Sequence, residues 1–261
     1  MRNRTWICLA SALTVVVIVL PLRLTAQGSA GSSGKLEPRF LVDIPTAGMI
    51  DKGSFAVDVD FYQAGGVLFG FSAGILDRLS VTLDYGGSRL IGGESPVMNE
   101  TPGFGVRLRV LEESALFPAL ALGFDTQGRD GYLSALSRYV IKSPGLYAVI
   151  SKNYGFLGYL SLHGGTNYTF ERADGDRDLN FFIGVEKTVG TFASVVLEYN
   201  FATNDNGAEA VGRGRGYVNT ALRISLGGGL TLGINLKDLA KNGGEVTVAN
   251  RTFRIEFAHP F

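Results

Sequence analysis

One cysteine among 261 residues excludes several chemistries at once. Cys8 lies inside an apolar N-terminal run, so the rest of the chain has no thiol for a disulfide framework, a nucleophile or a thiolate metal site. Histidine is almost as scarce. His163 and His259 are the two present, the second at the chain end, which excludes a histidine-rich zinc site. Excess charge of one sign is also missing. Lys plus Arg and Asp plus Glu are both 24, so the balance supports neither nucleic-acid binding nor a polybasic membrane tether. No stretch after residue 50 is apolar enough to cross a bilayer as a helix. No motif calls for a cofactor. Glycine, in contrast, is abundant: 36 residues, about twice ordinary usage, without a collagen period. In a β protein this suggests tight turns and curved, closely packed strands.

Residues 1–26 read as a secretory signal peptide: Arg2 and Arg4, an apolar run from Trp6 to Leu22, then small residues that put cleavage between 26 and 30. An uncleaved anchor is the competing reading, because the run approaches the ~20 residues a spanning helix needs. Pro21 and the small, polar stretch after it favour cleavage. Residues 27–52 read as a flexible lead-in, Gly/Ser-rich up to Lys35 and then L-E-P-R-F-L-V-D-I-P-T-A-G-M-I-D. It is expected to be periplasmic or to plug the base of the domain that follows.

From Gly53 the apolar residues fall at every second position, the period of a strand with two unlike faces. Phe55, Val57, Val59 and Phe61 alternate with Asp58, Asp60 and Tyr62; Val195, Leu197 and Tyr199 alternate with Ser194, Glu198 and Asn200. Twelve such segments can be counted, ending in R-T-F-R-I-E-F-A-H-P-F, and the two faces of Gly145 to Ser151 are hard to tell apart. Short connections (Leu76–Arg78, Glu112–Ala115, Asn153–Gly155, Val189–Gly190, Gly227–Gly229) alternate with long ones (89–101, 127–143, 169–177, 202–214, 239–249), after a short first hairpin near Gln63–Gly65. Residues 131–142 fit either a thirteenth strand or a short amphipathic helix, and the even-strand rule assigns them to a loop.

These features predict an all-β fold over residues 53–261: a closed antiparallel transmembrane β-barrel of about twelve strands, meander topology, with both termini on the short-turn side. Strands of about nine to eleven residues suit a tilted crossing of the hydrocarbon layer better than a sandwich. Lipid cannot satisfy an open sheet edge, so the sheet must close. The polar faces carry both signs at mid-strand. Asp58, Asp60, Arg107, Arg109, Glu186, Glu198, Arg223, Lys237, Arg254 and Glu256 are therefore expected to line the lumen as a charge ladder. A Lys or Arg facing lipid there is unfavourable by roughly 2–4 kcal/mol. Opposite charges are expected to pair between neighbouring strands, above all Glu198 with Arg223, and closure should bring Arg254 near Asp58 and Asp60.

The stretches V-D-I-P-T-A-G-M (42–49), L-Y-A-V-I-S-K-N-Y-G (146–155), F-I-G-V-E-K (182–187) and V-V-L-E-Y-N (195–200) resemble the YjbH-type outer-membrane barrels, over roughly residues 41–200. The chain looks like a small, distant relative. The resemblance implies a bacterial outer-membrane location and a part in exopolysaccharide production and export, with outer-membrane lipid and polysaccharide as partners. The closing strand likewise resembles those of outer-membrane barrels, which implies that Phe257 and the terminal Phe261 belong to the signal read by the barrel-assembly machinery.

Candidate catalytic and binding groups are few. Glu186 and Glu198 share the lumen side of adjacent strands and could form a glycosidase carboxylate pair, but a charge ladder with Arg223 and Arg107 or Arg109 explains them better. His163 shares a face with Ser161, two residues away, without an orienting acid. Asp174, Asp176 and Asp178 begin like a calcium loop, but Leu179 and Val185 stand where its Gly and Glu belong, so a solvated acidic loop tip is expected. Gly212 to Gly216 (G-R-G-R-G) leads into a strand, not a helix, and so lacks the phosphate-cradle geometry. Arg213 and Arg215 there suit anionic headgroups. The reading is therefore a non-enzymatic barrel passing or anchoring a sugar polymer or another polar solute. The alternatives are a filled scaffold barrel without conductance and an outer-membrane lipid- or glycan-modifying enzyme.

Overall fold

The structure is a computed structural model and describes residues 37–243 and 249–261. The expected signal peptide and the Gly/Ser-rich start of the lead-in lie outside the described residues.

Twelve of the strands form the barrel wall: β1 (Ser54–Tyr62), β2 (Gly66–Leu76), β3 (Leu79–Ser88), β5 (Gly103–Leu111), β6 (Ala119–Asp125), β9 (Gly145–Gly155), β10 (Tyr159–Tyr168), β11 (Asn180–Val189), β12 (Ala193–Asn200), β13 (Tyr217–Gly227), β14 (Leu230–Lys237) and β15 (Asn250–Pro260). Each pairs antiparallel with its neighbours in chain order, and β15 pairs with β1, so the sheet closes on itself. At this seam Asp58 lies opposite Glu256 and Asp60 opposite Arg254. The two-residue β4 (Val97–Met98) extends β3 within the first long loop. Short turns and long loops fall on opposite ends, in the expected order.

Outward positions carry Phe69, Leu83, Leu108, Ile150, Ile183 and Leu197, all exposed and all apolar. A continuous apolar exterior on a closed sheet is what a barrel presents to hydrocarbon. Inward positions carry the polar set, because the pleat sends alternate side chains to opposite faces. Strand β9 departs from that chemistry: Tyr147 and Val149 point inward with Ser151, while Leu146 and Ile150 face out. β9 also runs beyond the expected turn at Asn153–Gly155, and the turn falls at residues 156–158. Asn153 stays in the ladder opposite Ser161, and its backbone and side-chain amides both donate to Glu113, at 2.9 and 2.6 Å.

Two further segments fill the interior. Residues 129–141 are neither a wall strand nor an amphipathic helix. They form a separate hairpin, β7 (Arg129–Leu133) and β8 (Arg138–Ile141), around a 3-10 turn at Ser134–Leu136. From the short-turn end, residues 38–50 run into the lumen, turn at Val42–Asp43 and return. The Leu41 amide donates to Ile44 O at 2.9 Å and the Thr46 amide to Arg39 O at 3.0 Å, which closes the loop as a small hairpin. Leu41, Val42, Ile44 and Ala47 of this plug pack against Ala119, Ala121, Tyr147, Val149, Phe182, Val196 and Ala221 of the wall. The inward apolar residues of β9 and β11 are thus one side of a core whose other side is the plug. Gly184 makes room for it, since a Cβ there would collide with Leu41 Cδ1.

Candidate functional site

The lumen surface and the plug form one polar network. Sequence periodicity places the ten ladder residues on the inner face, and all ten side chains are buried or nearly so. Their partners differ from those expected. Only Arg254 and Asp60 pair directly across adjacent strands, Nε to Oδ1 at 2.5 Å and Nη2 to Oδ2 at 3.0 Å. Arg223 and Glu186 approach at 3.6 Å across the intervening β12. The others mostly grip the plug. Arg107 donates to Arg39 O and Gly48 O, both at 2.8 Å, and to the Tyr147 hydroxyl at 2.8 Å. Arg109 donates to Ala47 O at 2.8 Å and is bridged to Glu37 and Glu112. Lys237 lies 2.9 Å from both Asp43 of the plug and Asp130 of the β7–β8 hairpin, so one ammonium joins the two insertions.

Glu198 does not pair with Arg223. The register sets Glu198 opposite Asn219 and Arg223 opposite Ser194. Glu198 instead accepts the backbone N–H groups of Val42 (2.8 Å), Asp43 (2.9 Å) and Ile44 (3.3 Å), with Asn219 Nδ2 donating at 2.7 Å. Arg223 donates to Phe40 O at 2.7 Å and to Leu41 O. The turn of the plug thus offers its amides to one carboxylate and its carbonyls to one guanidinium, a match of backbone polarity to wall charge. The same engagement removes the glycosidase reading. Glu198 is occupied by amides, and Glu186 accepts the Ser194 hydroxyl at 2.5 Å.

Several members of the network lay beyond the periodic reading. Arg39 reaches from the plug to Asp58 at 2.5 Å and Glu256 at 3.3 Å, separating two carboxylates that face each other across the seam. Arg129 lies 4.5 Å over the Phe40 ring and 3.7 Å from Asp60. Arg39 and Asp43 flank the apolar F-L-V of the lead-in, and that polar-apolar-polar spacing is the one signal that could have flagged them.

At the long-loop end a second network closes the mouth. Arg138 bridges Asp174 at 2.7 Å and Asp205 at 2.6 Å, and Lys142 meets Asp174 at 2.7 Å. The expected solvated acidic tip is therefore wrong for Asp174 and Asp176, which are buried. Burial opposes the Asp174 charge, but Lys142 and Arg138 hold its carboxyl below the usual range. Asp176 accepts the Asn206 amide at 3.0 Å. Among the described residues no cluster of His, Cys, Asp or Glu could hold a metal. The glycine-arginine stretch is tied down as well: the amides of Arg213 and Arg215 both donate to Asn242 Oδ1, at 3.0 and 2.7 Å.

Glu171 makes this mouth sensitive to pH. Burial lifts its carboxyl to about 7, although it accepts the Tyr139 amide, at 3.1 Å. A folded value above the ordinary carboxylate range means that the closed mouth favours the protonated form. That stabilisation is complete at acid pH and is lost as pH rises through about 7. Hydrogen exchange of residues 138–142 and 169–174 is expected to be slower at pH 5 than at pH 8, and Glu171→Gln is expected to flatten the difference. Equal exchange at both values in the unaltered chain would contradict this.

His163 is paired, but not with Ser161. Its Nδ1 meets Ser151 Oγ at 2.8 Å, while Ser161 donates to Asn153 Oδ1 at 2.5 Å. No acid orients the imidazole from its other side, and Nε2 has no partner. The arrangement lacks the third group of a hydrolytic triad.

The geometry can be set beside known proteins. Solved structures that resemble it include the KdgM porin (9% identity, TM-score 0.49, 80% of this chain and 99% of that one), the NanC porin (10%, 0.47, 79% and 99%) and the translocator domain of the autotransporter NalP from Neisseria meningitidis (14%, 0.38, 80% and 86%). No curated protein matches the sequence. The family model described as exopolysaccharide biosynthesis protein YbjH matches residues 39–178, a span that begins at Arg39, contains the whole plug turn and runs through both inward-folded segments. The chain belongs to this YjbH family of exopolysaccharide biosynthesis proteins.

Proposed function

We propose that this protein is a non-enzymatic barrel of the bacterial outer membrane that serves exopolysaccharide production as a closed structural component, its lumen filled at rest by its own lead-in. The observation that carries the reading is the plug: Glu198 and Arg223 take up the amides and carbonyls of residues 40–44, and Leu41, Val42 and Ile44 complete an apolar core across the lumen. An open passage would need those residues elsewhere. This favours a scaffold or anchoring role over passage of a polar solute, and the occupied carboxylates favour it over a glycan-modifying enzyme. The expected partners are outer-membrane lipid around the apolar exterior, the barrel-assembly machinery during insertion, and the polysaccharide or its export apparatus; nucleic acid is not among them.

Planar-bilayer recording tests the reading. The full-length barrel is expected to give no sustained conductance, and steady open-channel current from the unaltered protein would overturn it. Location is tested at the terminal residue. The Phe261 amide donates to Gly53 O at 2.8 Å and its ring lies 5.2 Å from that of Phe55, so the last residue is locked onto the first strand. Deleting Phe261 is expected to lower the folded protein in outer-membrane fractions severalfold, and unchanged levels would count against an assembly signal there.

A further inference from the structure

A cavity of about 100 Å³ lies between the returning arm of the plug and the barrel wall, at the short-turn end. That is several times the ~30 Å³ share of one water molecule. Thr46 and Ala47 line one side, and Ser151, Ser161, His163 and Glu186 the other. His163 is only 8% exposed. Ser151 Oγ accepts the Ala47 amide at 2.9 Å, so its own hydrogen is directed to His163 Nδ1, at 2.8 Å. The ring proton then sits on Nε2, which is buried without any partner. A buried donor lining a cavity of this size calls for an acceptor from outside the chain.

The surrounding charges define that acceptor. Arg109 is matched by Glu37 and Glu112, and Glu113 is held by Lys152 and Asn153. The remaining lining is rich in carboxylate, which repels an anion. A cation would suit the carboxylates but would confront the His163 N–H. A hydroxyl satisfies both, since it accepts from Nε2–H and donates to a carboxylate or to Ser161 Oγ, whose own hydrogen is already given to Asn153. Several hydroxyls at fixed spacing on a compact neutral body describe a sugar ring.

We infer that this cavity binds one neutral pyranose unit, with His163 Nε2–H donating to a ring hydroxyl and Glu186 and Ser161 accepting from its neighbours. The site stands on the cavity's own chemistry and goes beyond the proposed resting role, because a closed barrel is equally possible with or without it.

The test uses the full chain, labelled with ¹⁵N-histidine and folded in detergent micelles, titrated with methyl α-D-glucopyranoside, methyl β-D-galactopyranoside, D-glucuronate and D-glucosamine. The expected result is a saturable shift of the His163 Nε2 resonance with at least one neutral glycoside, at least tenfold weaker binding of glucuronate and glucosamine, and no change at the exposed His259. Ala119→Leu, which fills the cavity from β6 without removing a polar group, is expected to abolish the shift. His163→Gln, followed by calorimetry, is expected to weaken binding at least tenfold. Absence of a saturable shift with either glycoside would mean that the cavity holds water alone and would overturn the assignment. Equal or tighter binding of the charged sugars, or undiminished binding in both variants, would overturn it too. Bilayer conductance is unaffected by any of these outcomes, so this inference and the closed-barrel reading fail separately.

Discussion

Glu198→Ala is expected to release the plug while leaving the barrel wall folded. The carboxylate is 1% exposed and is the acceptor for the amides of Val42, Asp43 and Ile44 and for Asn219 Nδ2. Removing it leaves these donors without a partner in a space that water does not reach freely. Each unsatisfied buried donor costs about 1–3 kcal/mol. Some relax toward other acceptors, so the net loss is set at about 3–5 kcal/mol, the range for breaking a buried charged network. Converted to populations, that is a rise of more than a hundredfold in the open form, since about 1.4 kcal/mol is tenfold. Amide exchange at residues 42–44 reads it directly, and protection there should fall by at least two orders of magnitude while the strands stay protected. Conductance should appear in bilayers in parallel. Glu198→Gln keeps the shape and one acceptor oxygen and should fall between the two. Unchanged protection of residues 42–44 in Glu198→Ala would show that Arg223 and the apolar contacts hold the plug unaided.

Arg254→Met is expected to destabilise the closure of the barrel. Arg254 lies directly opposite Asp60 where β15 meets β1 and is bonded to it through two nitrogens. Its removal leaves Asp60 with Arg129 at 3.7 Å and little solvent, since the Asp60 side chain is 14% exposed. Stranding one partner of a buried pair costs about 3–5 kcal/mol. At roughly 2–4 °C per kcal/mol for a domain of this size, the thermal midpoint of the folded barrel should fall by about 10 °C. Methionine approximates the arginine stem in volume, so packing loss is minor. Adding Asp60→Asn to Arg254→Met should recover at least half the loss, because the uncompensated charge is then gone. A double variant less stable than Arg254→Met alone would show that the pair is not coupled.

The glycosidase and calcium readings show where local sequence misleads. Glu186 and Glu198, or Asp174 and Asp176, look like free acids in one dimension because their partners are far along the chain. Asp174 meets Arg138 and Lys142 from β8 and its flank, and Glu198 meets the lead-in at a sequence separation of 156. The expected Glu198–Arg223 pair failed for a related reason. Both residues were assigned to the correct face of adjacent strands, but the point at which the chain re-enters the sheet after residues 201–216 fixes what lies opposite, and that register puts Asn219 there.

The sequence by itself determined the closed barrel, its twelve wall strands and the inward position of the charges. That information is local: side chains at successive positions of a strand face opposite ways whatever lies beside them, and a sheet in hydrocarbon has to close. Only the tertiary structure decided what those charges hold. The faces of β9 were ambiguous because Tyr147 and Val149 are apolar yet point inward, and they do so because the turn of the plug is apolar too. Residues 38–50 carry no period that announces a plug. Their place is set by the fit of backbone amides to Glu198, backbone carbonyls to Arg223, and Leu41 to the space above Gly184, contacts between segments far apart in the chain that exist only once the wall has closed around them.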